Sequence, residues 1–307
     1  MDNKKEITES RRSYFLAAFL APLIWGFMSI PVRLIKGWPA DDILNYRILS
    51  ALVILWAFIF LFRRPVLRQD IARLRSMPPK ERKKIMVLTF MAAIFIFGNW
   101  FTYIYAINNI SIQSAAFAYM LCPLITTFAA YFILKEELTK QKWVALTIAF
   151  ISVCLLATGS VTQVLWSVAI AALYTFYLII QRVIQGFDKL NLLAVQLLLC
   201  SLFIIPILLF QGHEIPQSVL FWVVIVIIAV VFTIIPLFLS MYALIKISSS
   251  TTGILLYINP IIAFLIAIFY FKEEIDPRKY IAYALLLIAI MLFNGNVLQR
   301  LFSKKEQ

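Results

Sequence analysis

Shifting the chain by 137 residues lays positions 105–151 on 242–288 without a gap, and 14 of the 47 pairs are identical. Tyr105-Ala106 meets Tyr242-Ala243, Ile110-Ser111 meets Ile247-Ser248, and Pro123 meets Pro260. Lys135-Glu136-Glu137 meets Lys272-Glu273-Glu274. Chance spacing of apolar residues does not give so long an ungapped match, so the chain is a duplicated unit, which limits its architecture before any single residue is weighed.

The solvent of that unit follows from composition. Of the 307 residues 63% are hydrophobic and only 14% charged, with a mean hydropathy of +0.92. A soluble domain cannot hide that much apolar surface, so lipid must solvate much of it. Runs of about 20 apolar residues match the length a helix needs to cross a bilayer. Ten such runs are predicted, near 14–34, 42–62, 85–106, 112–134, 143–159, 163–182, 191–210, 218–241, 250–271 and 280–298. The fold class is therefore an all-α polytopic membrane protein of ten transmembrane helices. The 137-residue shift carries the fourth run onto the ninth, five helices along. An odd number of crossings reverses direction, so the halves form two inverted five-helix repeats, 14–159 and 160–298, between tails 1–13 and 299–307. Inverted repeats suit alternating access, because two similar halves can exchange conformations around one central site.

Charge placement sets the orientation. The net charge is +13, but the basic residues lie in short loops between apolar runs, where topology and anionic headgroups account for them and nucleic acid is not implied. With both termini cytoplasmic, 22 of the 28 Lys and Arg fall inside, leaving Arg33, Lys36, Arg47, Lys272, Arg278 and Lys279 at the other face. This predicts a multi-pass protein of the plasma (inner) membrane. The basic N-terminus precedes an apolar run too long for a signal peptide, so the first span is expected to be retained. Residues 63–84 hold nine basic residues and Pro78-Pro79, and read as a cytoplasmic loop on the inner leaflet. Cys122, Cys154 and Cys200 sit in apolar runs at unrelated spacings, as packing residues do, and the lone His213 lies in a loop. Neither a metal nor another cofactor is expected. The oligomeric state is not legible in the sequence.

Ionisable groups at membrane depth are usually functional. None of the fifteen Asp and Glu residues lies mid-span, which argues against a pump for bulky cations. Neither paired carboxylates nor a nucleophile with a base occurs at depth, so an enzyme is not predicted. Arg33 and Arg47 sit near the outer ends of their spans, where snorkelling to headgroups is the ordinary explanation. Arg47 is also placed to clamp a carboxylate, or to pair with Asp42. Polar and aromatic residues inside the spans should face a protein interior or a wet cavity. The cavity candidates are Trp25, Arg47, Asn99, Trp100, Tyr103, Asn108, Tyr119, Tyr174, Tyr242, Tyr257 and Asn259. Interhelical hydrogen bonding alone would explain each polar one, and is the better reading for Thr126 and Gln196. Pro123 and Pro260 are the candidate hinges because the repeat pairs them. Glu136, Glu137, Glu273 and Glu274 close the fourth and ninth spans on opposite faces, either as solvated helix ends or as gate salt bridges.

At these residues the sequence resembles the EamA-type transporters of the drug/metabolite transporter superfamily, and is similar in particular to the RarD-like (chloramphenicol-sensitivity) branch. The motifs are LIWGFMSIPVRLI (23–35), DDILNYRILS (41–50), NWFTYIYAIN (99–108), AFAYMLCPL (116–124) with KEEL (135–138), TIIPLFL (233–239), and STTGILLYINP (250–260) with KEE (272–274). The resemblance implies ten helices in two inverted repeats, a central cavity, and export or exchange of small metabolites. By position Asp42, Arg47, Asn99, Trp100, Asn108, Tyr119, Pro123, Tyr257 and Pro260 match the branch. Tyr46 stands where a histidine is usual, and Ser114, Ala116 and Ala118 depart from the branch pattern before Tyr119.

The resulting expectation is a secondary transporter, not an enzyme, that moves a small neutral, zwitterionic or anionic organic solute by alternating access. Its partners are that solute and the lipid bilayer. The alternatives are a multidrug-type efflux protein and a non-transporting membrane sensor or scaffold.

Overall fold

The computed structural model describes residues 2–109, 112–157, 161–211, 214–270, 272 and 277–302. Helices follow one another along the chain: α1 (Asp2–Gly26), α2 (Ser29–Leu34), α3 (Ala40–Phe62), α4 (Arg64–Ser76), α5 (Pro79–Asn109), α6 (Ile112–Leu134) and α7 (Lys140–Leu156). There follow α8 (Val161–Val183), α9 (Lys189–Gln211), α10 (Val219–Ala229), a five-residue π-helical turn (Val230–Ile234), α11 (Ile235–Ala243), α12 (Ser249–Leu255), α13 (Ile258–Phe269) and α14 (Pro277–Phe302). No strand occurs among the described residues.

Eight described stretches are long and apolar enough to cross a bilayer: Arg12–Leu34, Ala40–Phe62, Pro79–Tyr103, Phe117–Leu134, Val161–Val183, Lys189–Phe210, Val219–Ala243 and Ser249–Ile266. Helix α7 and the apolar part of α14, Tyr280–Gly295, are shorter. Large apolar side chains such as Phe62, Leu209 and Phe210 are exposed while Gln181, Gln196 and Thr126 are buried. That inversion of the soluble pattern is expected where lipid is the solvent. The buried polar groups tie helices together. Gln181 donates to Gln196 at 3.0 Å, Ser152 to the Ala282 carbonyl at 2.7 Å and Trp56 to the Ala194 carbonyl at 3.1 Å.

Proline accounts for three breaks in these spans. Pro31 lacks the N–H that would bond Phe27, and α1 gives way to α2 through Phe27 and Met28, which bond three residues back at 3.0 Å. Pro260 does the same to α12 and α13, where Leu256 N–H bonds Gly253 at 3.0 Å and Tyr257 N–H bonds Ile254 at 3.3 Å. Before Pro236 the chain widens into the π-helical turn, and the Thr233 hydroxyl donates to the Ile228 carbonyl at 3.1 Å. By contrast, Pro123 is carried within α6.

Two crossings are tight enough to require glycine. A Cβ on Gly26 would stand 2.5 Å from Ile262 Cβ, and one on Gly253 would stand 2.9 Å from Thr126 Cγ2. These contacts bring α1 against α13 and α12 against α6. The two largest apolar cores among the described residues lie on either side of these crossings. One is built on α3, α5, α8 and α9 (Ile48, Leu55, Ile96, Tyr177, Leu197), and the other on α1, α7, α12 and α14 (Ala18, Ala149, Ile254, Leu286). Helix α6 contributes to both through Cys122 and Leu124.

The predicted loop 63–84 contains a helix, α4, and α5 begins at Pro79. Arg68, Arg73 and Arg75 on α4 conceal an amphipathic pattern in which Leu67 and Leu74 pack on the first core.

Candidate functional site

A cavity of about 640 Å³ lies among the broken helices, within the range that holds small organic ligands. Each break contributes to it: Trp25, Gly26, Met28 and Ser29 from α1–α2, Phe232 and Thr233 from the π-helical turn, and Leu256, Asn259 and Pro260 from α12–α13. Arg47 enters from α3, Asn99, Trp100 and Tyr103 from α5, Tyr119, Met120 and Cys122 from α6, Tyr174 from α8 and Tyr283 from α14.

These positions place the cavity in one half of the bundle. Lining residues come late in α1–α2 and α5, which run toward the α2–α3 turn, and early in α3, α6 and α14, which run away from it. The other half is closed by polar contacts. Glu136, just past α6, accepts hydrogen bonds from Ser249 N–H at 2.7 Å, Ser250 N–H at 2.9 Å and Ser250 Oγ at 2.6 Å. It thereby caps α12 with a full negative charge. Lys135 reaches that geometry with φ +55°, and Lys272, its repeat mate, has φ +56°. Burial, opposed by the Glu136 carboxylate, lowers the Lys142 ammonium from its ordinary lysine pKa, and its Nζ lies 5.1 Å over the Phe293 ring.

On the same face Arg63 forks onto Asp188 at 3.3 and 3.0 Å. Asp70 accepts from Asn191 Nδ2 at 2.7 Å and from Asp188 N–H at 3.2 Å. Arg182 donates to the Leu244 and Ile245 carbonyls at 2.5 and 3.0 Å, joining α8 to the end of α11.

The electrostatics of the lining are lopsided. Among its described residues Arg47 is the only charged one. Its guanidinium lies 5.6 Å over the Trp100 ring, near Tyr103 and Tyr119, whose rings meet edge to face at 5.3 Å. Trp25 donates to the Phe232 carbonyl at 2.9 Å, and Asn99 donates to the Ile170 carbonyl at 2.9 Å. Both are thus held by backbone acceptors, which fixes how they face the cavity.

Of the predicted candidates, Trp25, Arg47, Asn99, Trp100, Tyr103, Tyr119, Tyr174 and Asn259 meet at this one cavity. Tyr242 does not: it stacks on Tyr14 at 4.4 Å and Phe238 at 5.9 Å. Tyr257 is fully buried in the second core, while its neighbour Leu256 lines the cavity. The side chain of Asn108 and residues Glu273 and Glu274 lie outside the described residues. Pro260 lines the cavity, Pro123 does not, and Glu137 is exposed. Glu136 acts through a helix cap where a salt bridge was an alternative.

Sequence reasoning misses Met28 and Phe232, which carry no polar mark, and Tyr283, whose hydroxyl gives the same signal as the tyrosines it selects. One usable signal lay in the repeat. Tyr119 pairs with Leu256 and Cys122 with Asn259 under the 137-residue shift, and all four line the cavity.

A helical membrane protein of two like halves around an aromatic-lined cavity has the build of a membrane transporter. The chain belongs to the EamA-like transporter family, whose model matches residues 12–158 and again 161–295. It is 28% identical to protein RarD of Salmonella typhi over 92% of this chain and 94% of that one. It is 31% identical to the uncharacterized transporter YojE of Bacillus subtilis (strain 168), over 88% and 90% respectively. Protein RarD of Escherichia coli (strain K12) is 25% identical over 92% and 94%. A solved crystal structure matches in fold with a TM-score of 0.75 at 16% identity, covering 92% of this chain and 98% of its own.

Proposed function

We propose that the chain moves a small organic solute across the plasma (inner) membrane by alternating access, as export or exchange. If α7 and α14 cross together with the eight longer spans, the crossings number ten and the two family repeats run in opposite directions, which supports this reading. The excess of Lys and Arg on the Glu136 side supports an orientation with both termini in the cytoplasm. The observation that carries this reading is the asymmetry of the bundle: a cavity in one half, and in the other the Glu136 cap and the Arg63–Asp188 pair. Breaking those contacts and forming their counterparts on the opposite face would hand the solute across. A multidrug-type role with bulky cations is disfavoured, because no carboxylate lines the cavity among the described residues.

The test is counterflow in proteoliposomes, with vesicles preloaded in turn with unlabelled carboxylates, amino acids, polyols and amines. The expected result is uptake of the matching labelled solute for at least one class, abolished when the preload is omitted. Uptake equal to protein-free vesicles for every class would refute the proposal.

A further inference from the structure

We infer that the cavity is an organic-anion site in which Arg47 holds the single negative charge of a monocarboxylate whose apolar or aromatic body lies among Trp25, Trp100, Tyr103 and Tyr119. This deepens the transport reading and rests on it.

A guanidinium never gives up its proton at physiological pH, so holding it among the apolar and aromatic walls of this cavity is expensive unless an anion meets it. Arg182 and Arg63 show how this chain ordinarily meets that cost, one on two carbonyls and the other forked onto a carboxylate. Arg47 has neither. Its Nε is buried with no hydrogen-bond partner. Its Nη1 finds only the Met28 sulfur at 3.9 Å, a weak acceptor, and the Trp100 face satisfies charge but no donor. No acidic side chain lines the cavity among the described residues. A forked, underused donor set beside open space is the geometry that recognises a planar carboxylate with two parallel hydrogen bonds.

Charge balance narrows the class further. One cation neutralises one negative charge, so a monoanion fits and a phosphate dianion is left with excess charge in a low dielectric. The rest of the wall is mostly apolar and aromatic, with Asn99, Asn259, Ser29 and Thr233 as scattered polar groups. Rings of Trp and Tyr suit a flat or hydrocarbon body attached to the carboxylate.

The experiment uses the purified full chain and three probes of one shape: 3-phenylpropionate, its neutral amide, and the corresponding amine. Affinity is read from quenching of tryptophan fluorescence and from thermal stabilisation, and flux from counterflow of the same three compounds. The carboxylate should bind most tightly, and Arg47→Met should weaken it by about ten- to a hundredfold while leaving the amide unchanged. Arg47→Lys, which keeps the charge without the fork, should fall between the two. The unliganded melting temperature of each variant reports folding separately. Equal binding of the amide or amine by the wild type, or unaltered carboxylate binding in Arg47→Met, would overturn the anion site and leave the transport reading standing. Carboxylate that neither binds nor exchanges while other solutes do would also overturn the site. Absence of binding and of flux for every solute class would end both.

Discussion

Glu136 offers the sharpest perturbation, because its carboxylate ties the end of α6 to the start of α12 across the two repeats. Glu136→Gln keeps the side chain's length but removes the charge and one of the two acceptor oxygens. Three hydrogen bonds converge there, at 2.6, 2.7 and 2.9 Å. Exchanging charge-assisted bonds for weaker neutral ones at a helix N-terminus costs about 2 kcal/mol net, since the half-buried carboxylate regains water when released. Under the alternating-access proposal this contact breaks when the Glu136 face opens, so the cost falls on the closed state alone. Its population relative to the state open at this face should therefore drop about thirtyfold. Cysteine placed at Asn259, a partly exposed residue of the cavity wall, is the reporter. With Cys122, Cys154 and Cys200 replaced by serine, a small membrane-impermeant thiol reagent should label Asn259→Cys from the α2–α3 face when Glu136 is intact. In Glu136→Gln, labelling from the Glu136 face should rise by about that factor. An unchanged rate from the Glu136 face, in a variant that melts like the wild type, would refute the latch.

Three further outcomes follow from the same contacts. Gly253→Val and Gly26→Val should each lower stability by about 1–3 kcal/mol, read in thermal unfolding in detergent, because their Cβ atoms meet Thr126 and Ile262. Arg63→Met should cost about 0.5–1 kcal/mol, the worth of a partly exposed forked pair. Asp188→Ala should cost about 1 kcal/mol more than that, since Asp188 also accepts from Leu190 and Asn191 N–H at the start of α9, and the reverse order of the two variants would contradict this assignment.

Much of this architecture is legible in the residues, for identifiable reasons. Lipid as solvent enforces long apolar runs, and duplication leaves the paired prolines and the paired Lys-Glu-Glu ends. The repeat also hides a backbone role that residue type does not advertise. Lys135 and Lys272 both adopt the left-handed conformation, unfavourable for a side chain by about 1 kcal/mol, and Lys135 thereby turns the chain after α6. Cavity residues were harder to assign. A polar or aromatic residue announces that it avoids lipid but not which interior it faces, so Tyr242 and Tyr257 fit the same pattern as Tyr174. Packing decides the matter: neighbours on a helix point about 100° apart, so Leu256 meets the cavity while Tyr257 meets the second core. In α4 the basic residues outweigh the apolar ones, so its Leu67–Leu74 stripe was hidden by composition.

The most direct test of the central claim is a pair of distances measured by double electron–electron resonance in nanodiscs. One pair of spin labels spans the Glu136 face at Thr139 and Lys246, and the other spans the α2–α3 face at Gly37 and Lys272. Alternating access requires that a short distance on one face accompany a long one on the other, with Glu136→Gln moving population from the first state to the second. A single distance on each face, the same in wild type and variant and unmoved by 3-phenylpropionate, would contradict it.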